Sequence, residues 1–293
     1  MKSTINIIGA GNLGKTIGKL IFTHDVGFIQ EICNTSTKSG IEAASFIGQG
    51  EVKTISELLP ADITFITTPD DQIELCCQQL SKSSKLKKNS IVVHCSGSLS
   101  SEVLKTVKEK GCFVASVHPM RSFAKPDISF KQYSGTYCAI EGDYEATNVL
   151  EELFTKIGSV VYAINKDKKS AYHAAGVFAS NYLVTLCQNS LLCLKDAGVE
   201  NDMSMKIIAS LMQSTLNNLE TTLSPDKSLT GPIKRGDINT ITKHLSALPE
   251  PLSNLYKTLG LATLNIAHLS EDVEKKIAEL LSPKEKPHFS PKP

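Results

Sequence analysis

Ile5-Asn6-Ile7-Ile8-Gly9-Ala10-Gly11-Asn12-Leu13-Gly14 is the stretch that decides the fold of the amino-terminal half of this 293-residue chain. An apolar run, typical of a buried strand, leads into the pattern G-x-G-x-x-G and then into a helix-like segment, 15–22. In this context the first glycine permits a tight turn, the second lets the backbone approach a pyrophosphate, and the third lets the helix pack on the strand. We therefore expect a dinucleotide-binding unit; the alternative is a glycine-rich turn that binds nothing. The predicted binding residues of the turn are Gly9, Gly11, Asn12, Leu13 and Gly14.

The choice between the two nicotinamide dinucleotides rests on the end of the second predicted strand. About 20 residues after the glycine turn, an NAD site places an acid on the ribose 2′-hydroxyl, but this chain has Asn34. The segment that follows is rich in hydroxyls, carries Lys38 and contains no carboxylate, so it suits a 2′-phosphate. The sequence therefore predicts NADP(H), although Ser and Thr also suit an ordinary polar loop. The residues predicted at this end of the cofactor are Asn34, Thr35, Ser36 and Lys38.

Composition favours small-molecule chemistry. The chain has 31 Lys and Arg against 30 Asp and Glu, so it lacks the large net positive charge that attracts nucleic acid or an anionic membrane surface. Its 8 cysteines fall inside apolar segments without paired ligand spacing, as in a reduced cytosolic protein with no metal site. The first strand begins close to the amino terminus, and no apolar run approaches the roughly 18 residues needed to span a bilayer. We therefore expect a cytoplasmic, soluble protein without a signal peptide.

Two domains are expected from the change in pattern along the chain. Up to Asn165, short apolar strands alternate with helix-like stretches, which is typical of a parallel sheet covered on both faces. From Lys166 onward the chain reads as long helices. Apolar helices such as 252–268 are compatible with a homodimer formed through the helical half, although the sequence does not fix the oligomeric state. The predicted class is α/β, with a Rossmann NADP-binding domain over 1–165, an all-helical domain over 166–282 and a flexible tail over 283–293.

Loops after strands carry the predicted reaction centre, because ligands of open α/β sheets bind outside the carboxyl ends of the strands. Thr67-Thr68-Pro69 follows the fourth predicted strand, where the chain passes the cofactor ribose. Ser96-Gly97 follows the fifth and offers a hydroxyl and close backbone approach near the nicotinamide, whereas Ser98 and Ser100 suit helix caps. His118 follows the sixth strand, either as a catalytic residue or as a buried histidine bonded to backbone.

The helical half contributes a polar stripe and one cation. His173, Ser180 and Asn181 recur at helical spacing amid small residues, which predicts a substrate-facing side of the helix; a helix crossing is the alternative. Arg235 lies in a Gly/Pro turn, and its guanidinium suits a substrate carboxylate. A structural salt bridge with Asp237 accounts for this arginine equally well. Asp237 itself is suited to cap the next helix. Histidine titrates near neutral pH, so His173 is the predicted acid. The predicted catalytic residues are His118, His173, Ser180, Asn181 and Arg235.

Five segments taken together resemble one family of proteins: 9–14, 94–99, 117–120, 173–183 and 231–237. It is the family of Rossmann oxidoreductases whose helical carboxyl-terminal domain has no assigned function. The resemblance extends to about residue 281. The wider group includes ketopantoate reductase, pyrroline-5-carboxylate reductase, 3-hydroxyisobutyrate dehydrogenase and the 6-phosphogluconate dehydrogenases. Some members resemble a second type of ketopantoate reductase, which serves pantothenate synthesis.

The resemblance implies NADPH-dependent reduction of a small 2-keto acid, with ketopantoate as the leading substrate. Three alternatives remain open: an imine reductase of the pyrroline-5-carboxylate type, another NADP-dependent hydroxyacid dehydrogenase, and an NADP(H)-binding regulatory protein without turnover. The ketopantoate and hydroxyisobutyrate enzymes carry a catalytic Lys on the first helix of the helical domain, with Asn one turn later. In this chain His173 is expected at the position of that lysine, whereas Lys168 and Lys169 fall at the helix start.

Overall fold

Eight strands form one sheet at the centre of the amino-terminal half. The computed structural model describes residues 2–283, so the expected flexible tail lies outside the described residues except for Pro283. The strand order is β3-β2-β1-β4-β5-β6-β7-β8. The strands are β1 (Thr4–Ile8), β2 (Phe28–Cys33), β3 (Glu51–Val52), β4 (Ile63–Ile66), β5 (Ile91–His94), β6 (Phe113–Pro119), β7 (Tyr137–Gly142) and β8 (Val160–Ala163).

Strand direction determines which loops share an edge of the sheet. Neighbouring strands from β3 through β6 are parallel, so the carboxyl ends of β1, β2, β4, β5 and β6 lie at one edge. β6 and β7 are antiparallel, and β8 is parallel to β7. The expectation of a parallel sheet is therefore confirmed from β3 to β6, whereas β7 and β8 run in the opposite direction. The link between β6 and β7 contains only a six-residue helix, α5, which is too short to show helical periodicity in the sequence.

Helices cover both faces of the sheet, as the alternating pattern predicted. One core cluster packs α1, α2 and α6 on the sheet through residues such as Ile17, Ile47 and Phe154. A second packs α3 and α4 on the other face through residues such as Ile73 and Val107. These helices are α1 (Asn12–Thr23), α2 (Thr37–Ile47), α3 (Asp70–Ser81), α4 (Lys105–Lys108), α5 (Pro126–Lys131) and α6 (Tyr144–Lys156).

A continuous helix follows β8 and changes its winding three times. A 3-10 turn (Lys166–Lys168) leads into α7 (Lys169–Gly176), then a π-helical turn (Val177–Asn181), then α8 (Tyr182–Asp196). By length and composition, the 31-residue helix Lys166–Asp196 is apolar enough to cross a membrane. The expectation that no segment meets this test is wrong, because isolated polar residues interrupt the apolar run in the sequence without lowering its mean hydropathy enough.

The chain forms two compact units, of which the first ends at Asn181 and the second begins at Tyr182. The strands end near residue 165 as expected, but the helical residues up to Asn181 belong to the first unit. The second unit is all helical, as predicted, and has its own core around Ile241, Leu264 and Ile277. Beyond α8 its helices are α9 (Asn201–Thr222), α10 (Pro225–Ser228), α11 (Ile238–Ala247), α12 (Glu250–Leu264) and α13 (Glu271–Leu281).

Candidate active site

The glycine turn between β1 and α1 has the geometry that each of its glycines requires. Gly9 has φ +88°, and a Cβ atom there would lie 2.5 Å from Cγ2 of Thr68. A Cβ atom at Gly14 would lie 2.5 Å from Oγ1 of Thr67, so helix and strand pack closely only with glycine. At Gly11 a Cβ atom would meet nothing within 4 Å. The turn thus leaves open space beside Gly11, at the amino end of α1, where a phosphate approaches free of side chains.

Two side chains of neighbouring loops and the backbone of a third loop hold this turn in place. Oδ1 of Asn34 accepts a hydrogen bond from the Ala10 amide at 2.7 Å. The Thr67 hydroxyl donates to the Gly9 carbonyl at 2.9 Å. Nδ2 of Asn12 donates to the carbonyls of Phe123 and Ala124 at 2.9 and 3.0 Å. The Asn34 amide, expected to face the 2′-phosphate directly, therefore fixes the backbone of the glycine turn.

A cavity of about 590 Å³ adjoins the turn on the side of β2. Gly9, Asn34, Thr35 and Thr68 line it together with apolar side chains such as Leu75. The polar rim and apolar wall fit the adenosine half of a dinucleotide. A larger cavity, about 820 Å³, is lined by residues such as Glu102, Lys105 and Gly142 and lies near the start of β6, away from the glycine turn.

The residues after Thr35 begin α2. Ser36 occupies the cap position, where its hydroxyl accepts a hydrogen bond from the Ser39 amide at 3.2 Å. Lys38 lies in the first helical turn and is exposed. Because the amino end of a helix attracts anions, the start of α2 combines a partial positive charge with the Lys38 ammonium, and it follows directly on Thr35 at the wall of the cavity.

The loop after β5 is held by the Ser96 hydroxyl. It donates to Oδ2 of Asp70 at 2.8 Å and accepts from the amides of Ser98 and Leu99 at 3.1 and 3.0 Å. The Ser96 hydroxyl thereby uses its one donor and both of its acceptor sites. The hydroxyl expected to face the nicotinamide instead shapes the loop. The hydroxyl of Ser98 also donates to Asp70, and Ser100 makes no side-chain cap, so the expected capping is not found.

His94, at the end of β5, supports the same loop from below. Its Nδ1 accepts a hydrogen bond from the Ser96 amide, and its Nε2 donates to the Ser100 carbonyl, both at 3.1 Å. Burial lowers the pKa of His94 to about 3, with the charge of Lys169 acting in the same direction. His94 is therefore a neutral structural residue at physiological pH.

Two predicted catalytic histidines meet over Gly97. A Cβ atom at Gly97 would lie 2.5 Å from Cδ2 of His173 and 2.8 Å from Cε1 and Nε2 of His118. The two imidazole rings are 6.0 Å apart between centroids. His118 is partly buried, whereas His173 is exposed. The absence of a side chain at Gly97 thus creates the space in which both imidazoles stand, at the same sheet edge as the glycine turn.

Tyr172 binds the far side of His118 and was not predicted from the sequence. Its hydroxyl lies 2.9 Å from Nδ1 of His118, and the rings pack edge to face with centroids 5.5 Å apart. Burial lowers the pKa of His118 to about 4, and the charges of Lys169 and His173 add to the effect, while Asp70 opposes it. The hydrogen bond to Tyr172 shows that His118 is not the backbone-bonded histidine of the structural alternative.

Lys169 is the second functional residue that sequence reasoning missed. Its side chain is only 2% exposed. The ammonium donates to the Ser96 carbonyl at 2.9 Å and to the Ser116 hydroxyl, and lies 3.6 Å from Oε1 of Glu141. Glu141 in turn accepts hydrogen bonds from the amide and hydroxyl of Ser101 at 2.8 and 2.7 Å. Burial lowers the pKa of Lys169, and Glu141 opposes this shift.

One signal for Lys169 was present in the sequence. Lys169 and His173 are four residues apart on one helix, which places both side chains on the same face. The pair has the same one-turn spacing as the lysine and asparagine of the enzymes that the sequence resembles. Lysines at a helix start are usually exposed, so the sequence did not predict the burial of Lys169. That burial depends on contacts with Ser116 and Glu141, which lie on two other strands.

The remaining predicted catalytic residues have different surroundings. Ser180 and Asn181 lie in the π-helical turn, where the spacing of a regular α-helix no longer relates them to His173. Arg235 lies in the second unit, in the turn before α11. Asp237 caps α11 through the Thr240 amide at 3.0 Å, which confirms the capping interpretation. The roles of Ser180, Asn181 and Arg235 stay predictions.

Comparison with family models divides the chain in the same order as the fold. Residues 1–119 match the Rossmann-like domain. Residues 136–263 match a domain of unknown function, DUF2520. The chain therefore carries a Rossmann-like domain followed by a DUF2520 domain. This is the domain combination of the family that the sequence resembles.

Several solved structures share this fold over nearly their full length. A provisionally named NADP oxidoreductase from Bacteroides fragilis is 21% identical, covers 95% of this chain and 98% of its own, and has a TM-score of 0.72. A protein from Thermotoga maritima is 26% identical, with 94% and 98% covered and a TM-score of 0.67. A pyrroline-5-carboxylate reductase from Coxiella burnetii is 12% identical, with 97% and 100% covered and a TM-score of 0.60. Among curated proteins no match is found.

Proposed function

We propose that this protein is an NADPH-dependent reductase of a small 2-keto acid, with ketopantoate as the substrate to test first. The observation that carries the proposal is the meeting of His118 and His173 over Gly97, at the sheet edge that also holds the glycine turn. The cofactor supplies a hydride, and the protein must receive a carbonyl oxygen that becomes an alkoxide. Two imidazole N–H groups beside an unobstructed backbone suit that task.

The cofactor preference follows from the corner between β2 and α2. Asn34 carries no charge, Thr35 lines the cavity, and Lys38 lies at the amino end of α2. An anionic 2′-phosphate is attracted to this corner, whereas a carboxylate at the position of Asn34 would repel the phosphate. The proposal therefore specifies NADP(H) rather than NAD(H).

Replacing Asn34 with Asp tests this preference. The Asp carboxylate keeps the acceptor for the Ala10 amide, so the turn is expected to stay folded, but it adds a negative charge beside the 2′-phosphate. We expect the Kd of NADPH to rise about tenfold or more, which corresponds to about 1.4 kcal/mol, and the Kd of NADH to change much less. Calorimetric titration with both cofactors measures this. Equal affinities for NADPH and NADH in the unmodified protein would refute the preference.

The reaction requires the chain to place hydrogen-bond donors beside the developing alkoxide and to supply a proton. His118 Nε2 and the His173 ring flank the position above Gly97, so both can donate hydrogen bonds to a developing alkoxide. Asp70 and the neutral His94 hold the Ser96-Gly97 backbone beneath them. In this proposal Ser180 and Asn181, which belong to the same unit as both histidines, orient the substrate or the cofactor amide, and the role of Arg235 in binding a carboxylate stays a prediction from the sequence.

Ketopantoate is the leading substrate because of the resemblance stated above and because it combines a keto group with a carboxylate. Growth of a pantothenate auxotroph that lacks its own ketopantoate reductase tests this assignment in the cell. We expect the wild-type chain to restore growth and His173→Ala to fail at equal expression. Failure of the wild-type chain would assign the keto-acid site to another substrate.

The pyrroline-5-carboxylate reductase from Coxiella burnetii shares the fold, so a cyclic imine is the second candidate substrate. An imine reductase would oxidise NADPH with pyrroline-5-carboxylate and not with keto acids. A regulatory protein would bind NADPH without oxidising it in the presence of either class. Purified protein, titrated with NADPH and then given each substrate, separates the three outcomes.

A further inference from the structure

Three side chains form a hydrogen-bonded line that ends at the proposed reaction centre. The Tyr162 hydroxyl donates to the Tyr172 hydroxyl at 3.4 Å, and the Tyr172 hydroxyl lies 2.9 Å from Nδ1 of His118. The rings of Tyr162 and Tyr172 pack edge to face with centroids 6.5 Å apart, which fixes both hydroxyls in position. All three residues belong to the first compact unit.

The direction of donation is the same at every step of this line. Tyr172 accepts from Tyr162, so its own proton is available for Nδ1 of His118. With Nδ1 as an acceptor, neutral His118 carries its proton on Nε2, the atom beside Gly97. The outer end is accessible to water, because Tyr162 is partly exposed and its ring neighbour Tyr137 is 61% exposed.

We infer that Tyr162 and Tyr172 relay a proton from solvent through His118 to the substrate oxygen; this inference rests on the proposed function. As the hydride reaches the carbonyl carbon, the Nε2–H bond of His118 breaks and the O–H bond of the product forms. Nδ1 of His118 takes the proton of Tyr172, Tyr172 takes that of Tyr162, and Tyr162 takes one from water. One proton enters from solvent and one leaves on the alcohol, so the protons balance; His118 is left as the Nδ1–H tautomer and regains the Nε2–H tautomer by proton exchange with water before the next turnover.

Electrostatics explain why His118 needs such a relay. Burial and the neighbouring charges of Lys169 and His173 lower the pKa of His118, so it is neutral at pH 7. A neutral imidazole donates its only N–H proton easily when the other nitrogen gains one at the same time. Burial raises the pKa of Tyr172, which keeps that hydroxyl protonated and ready to donate. His118 is the catalytic residue here, and the two tyrosines are positioning residues that act through it.

The test compares Tyr172→Phe with wild type in single-turnover oxidation of NADPH by ketopantoate, measured in mixtures of H₂O and D₂O. Phenylalanine keeps the ring contact with His118 and removes only the hydroxyl. We expect the rate to fall about 10- to 100-fold, while the KM for ketopantoate and the Kd of NADPH change less than twofold. The wild-type rate is expected to depend on the D₂O fraction in a curved way, because several protons move together, and the variant rate in a linear way.

Tyr256→Phe is the matched control. Tyr256 makes the same kind of contact in the second unit, with its hydroxyl 2.9 Å from Nδ1 of His244 and ring centroids 5.6 Å apart. This variant is expected to keep the wild-type rate and the curved isotope dependence. Tyr162→Phe is expected to resemble Tyr172→Phe with a smaller loss of rate.

Nitrogen NMR of His118 in the free protein provides a readout that needs no turnover. The relay requires the Nε2–H tautomer and a shift of the Nδ1 signal in Tyr172→Phe. A wild-type protein that oxidises NADPH, together with a Tyr172→Phe variant of unchanged rate and isotope dependence, would overturn the relay alone. A wild-type protein that binds NADPH and reduces neither ketopantoate nor pyrroline-5-carboxylate would overturn the proposed function and the relay with it.

Discussion

At the scale of single residues, Lys169 shows how a buried charge organises the site. Its ammonium lies 3.6 Å from the Glu141 carboxylate, and both side chains are nearly inaccessible. Removing one partner of a buried ion pair leaves the other charge uncompensated. We expect Lys169→Met to lower the free energy of unfolding by about 3 kcal/mol, measured by urea denaturation.

The neighbouring lysine supplies the control for this prediction. Lys168 is exposed, so Lys168→Met is expected to change the free energy of unfolding by less than about 0.5 kcal/mol. The double variant Lys169→Met with Glu141→Gln is expected to recover part of the lost stability, because no unpaired charge stays buried. Equal stabilities of Lys168→Met and Lys169→Met would show that the pair is not buried as described.

His173 is the residue on which the catalytic assignment depends. Its side chain is exposed and faces the space above Gly97. Removing it costs little packing but deletes one donor to the alkoxide, so we expect His173→Ala to lower kcat by about 100-fold or more. The Kd of NADPH and the melting temperature are expected to stay near wild type. A parallel loss of stability and activity would instead assign His173 a packing role.

At the scale of elements, the glycine turn offers a matched pair of substitutions. Gly11→Ala places a methyl group in open space, so the fold is expected to stay intact while the approach of the pyrophosphate is blocked. Gly9→Ala strains a backbone at φ +88° and collides with Thr68, so the fold itself is expected to weaken. We expect NADPH affinity to fall at least tenfold in Gly11→Ala with an unchanged melting temperature, and the melting temperature to fall in Gly9→Ala. Unchanged NADPH binding by Gly11→Ala would place the cofactor elsewhere.

The glycine turn was predictable because its chemistry is local. Gly9 needs a positive φ and Gly14 needs close packing, and the G-x-G-x-x-G pattern alone indicates both requirements. The same holds for the alternation of strands and helices up to Asn165. The helix-like pattern from Lys166 onward also predicted the all-helical second unit.

Other elements depend on contacts that the sequence does not display. The reversal of β7 depends on the short link through α5. The π-helical turn at Val177–Asn181 breaks the regular α-helical spacing that would place Ser180 and Asn181 on the same face as His173. The burial of Lys169 depends on partners on β6 and β7. Local patterns thus identified the cofactor elements, whereas the positions of the catalytic side chains required the assembled sheet.

At the scale of the whole molecule, α8 and α9 expose apolar side chains to solvent. Val184, Met203 and Leu211 are 69%, 55% and 68% exposed. The apolar window of the helix Lys166–Asp196 is 0% buried. Contiguous apolar surface of this kind marks an interface with a protein or a membrane. We expect a second copy of the chain to cover it, which is compatible with the apolar helices of the sequence.

Light scattering after gel filtration tests the dimer. The wild-type protein is expected to have twice the mass of one chain, and Val184→Glu with Leu211→Glu to have the mass of a monomer. Ile128→Glu is the control, because Ile128 is 50% exposed and lies in the first unit. A monomeric wild type that floats with phospholipid vesicles would contradict the dimer and assign the helix to a membrane.

The cluster over Gly97 is proposed to reduce a keto acid with NADPH. The most direct test of this proposal is the oxidation of NADPH and of NADH by the purified wild-type protein, followed with ketopantoate and a panel of small 2-keto acids. We expect turnover with at least one keto acid, ketopantoate first, and a kcat/KM at least tenfold higher with NADPH than with NADH. No turnover of any keto acid with either cofactor, in a protein that binds NADPH, would refute the proposed reductase activity.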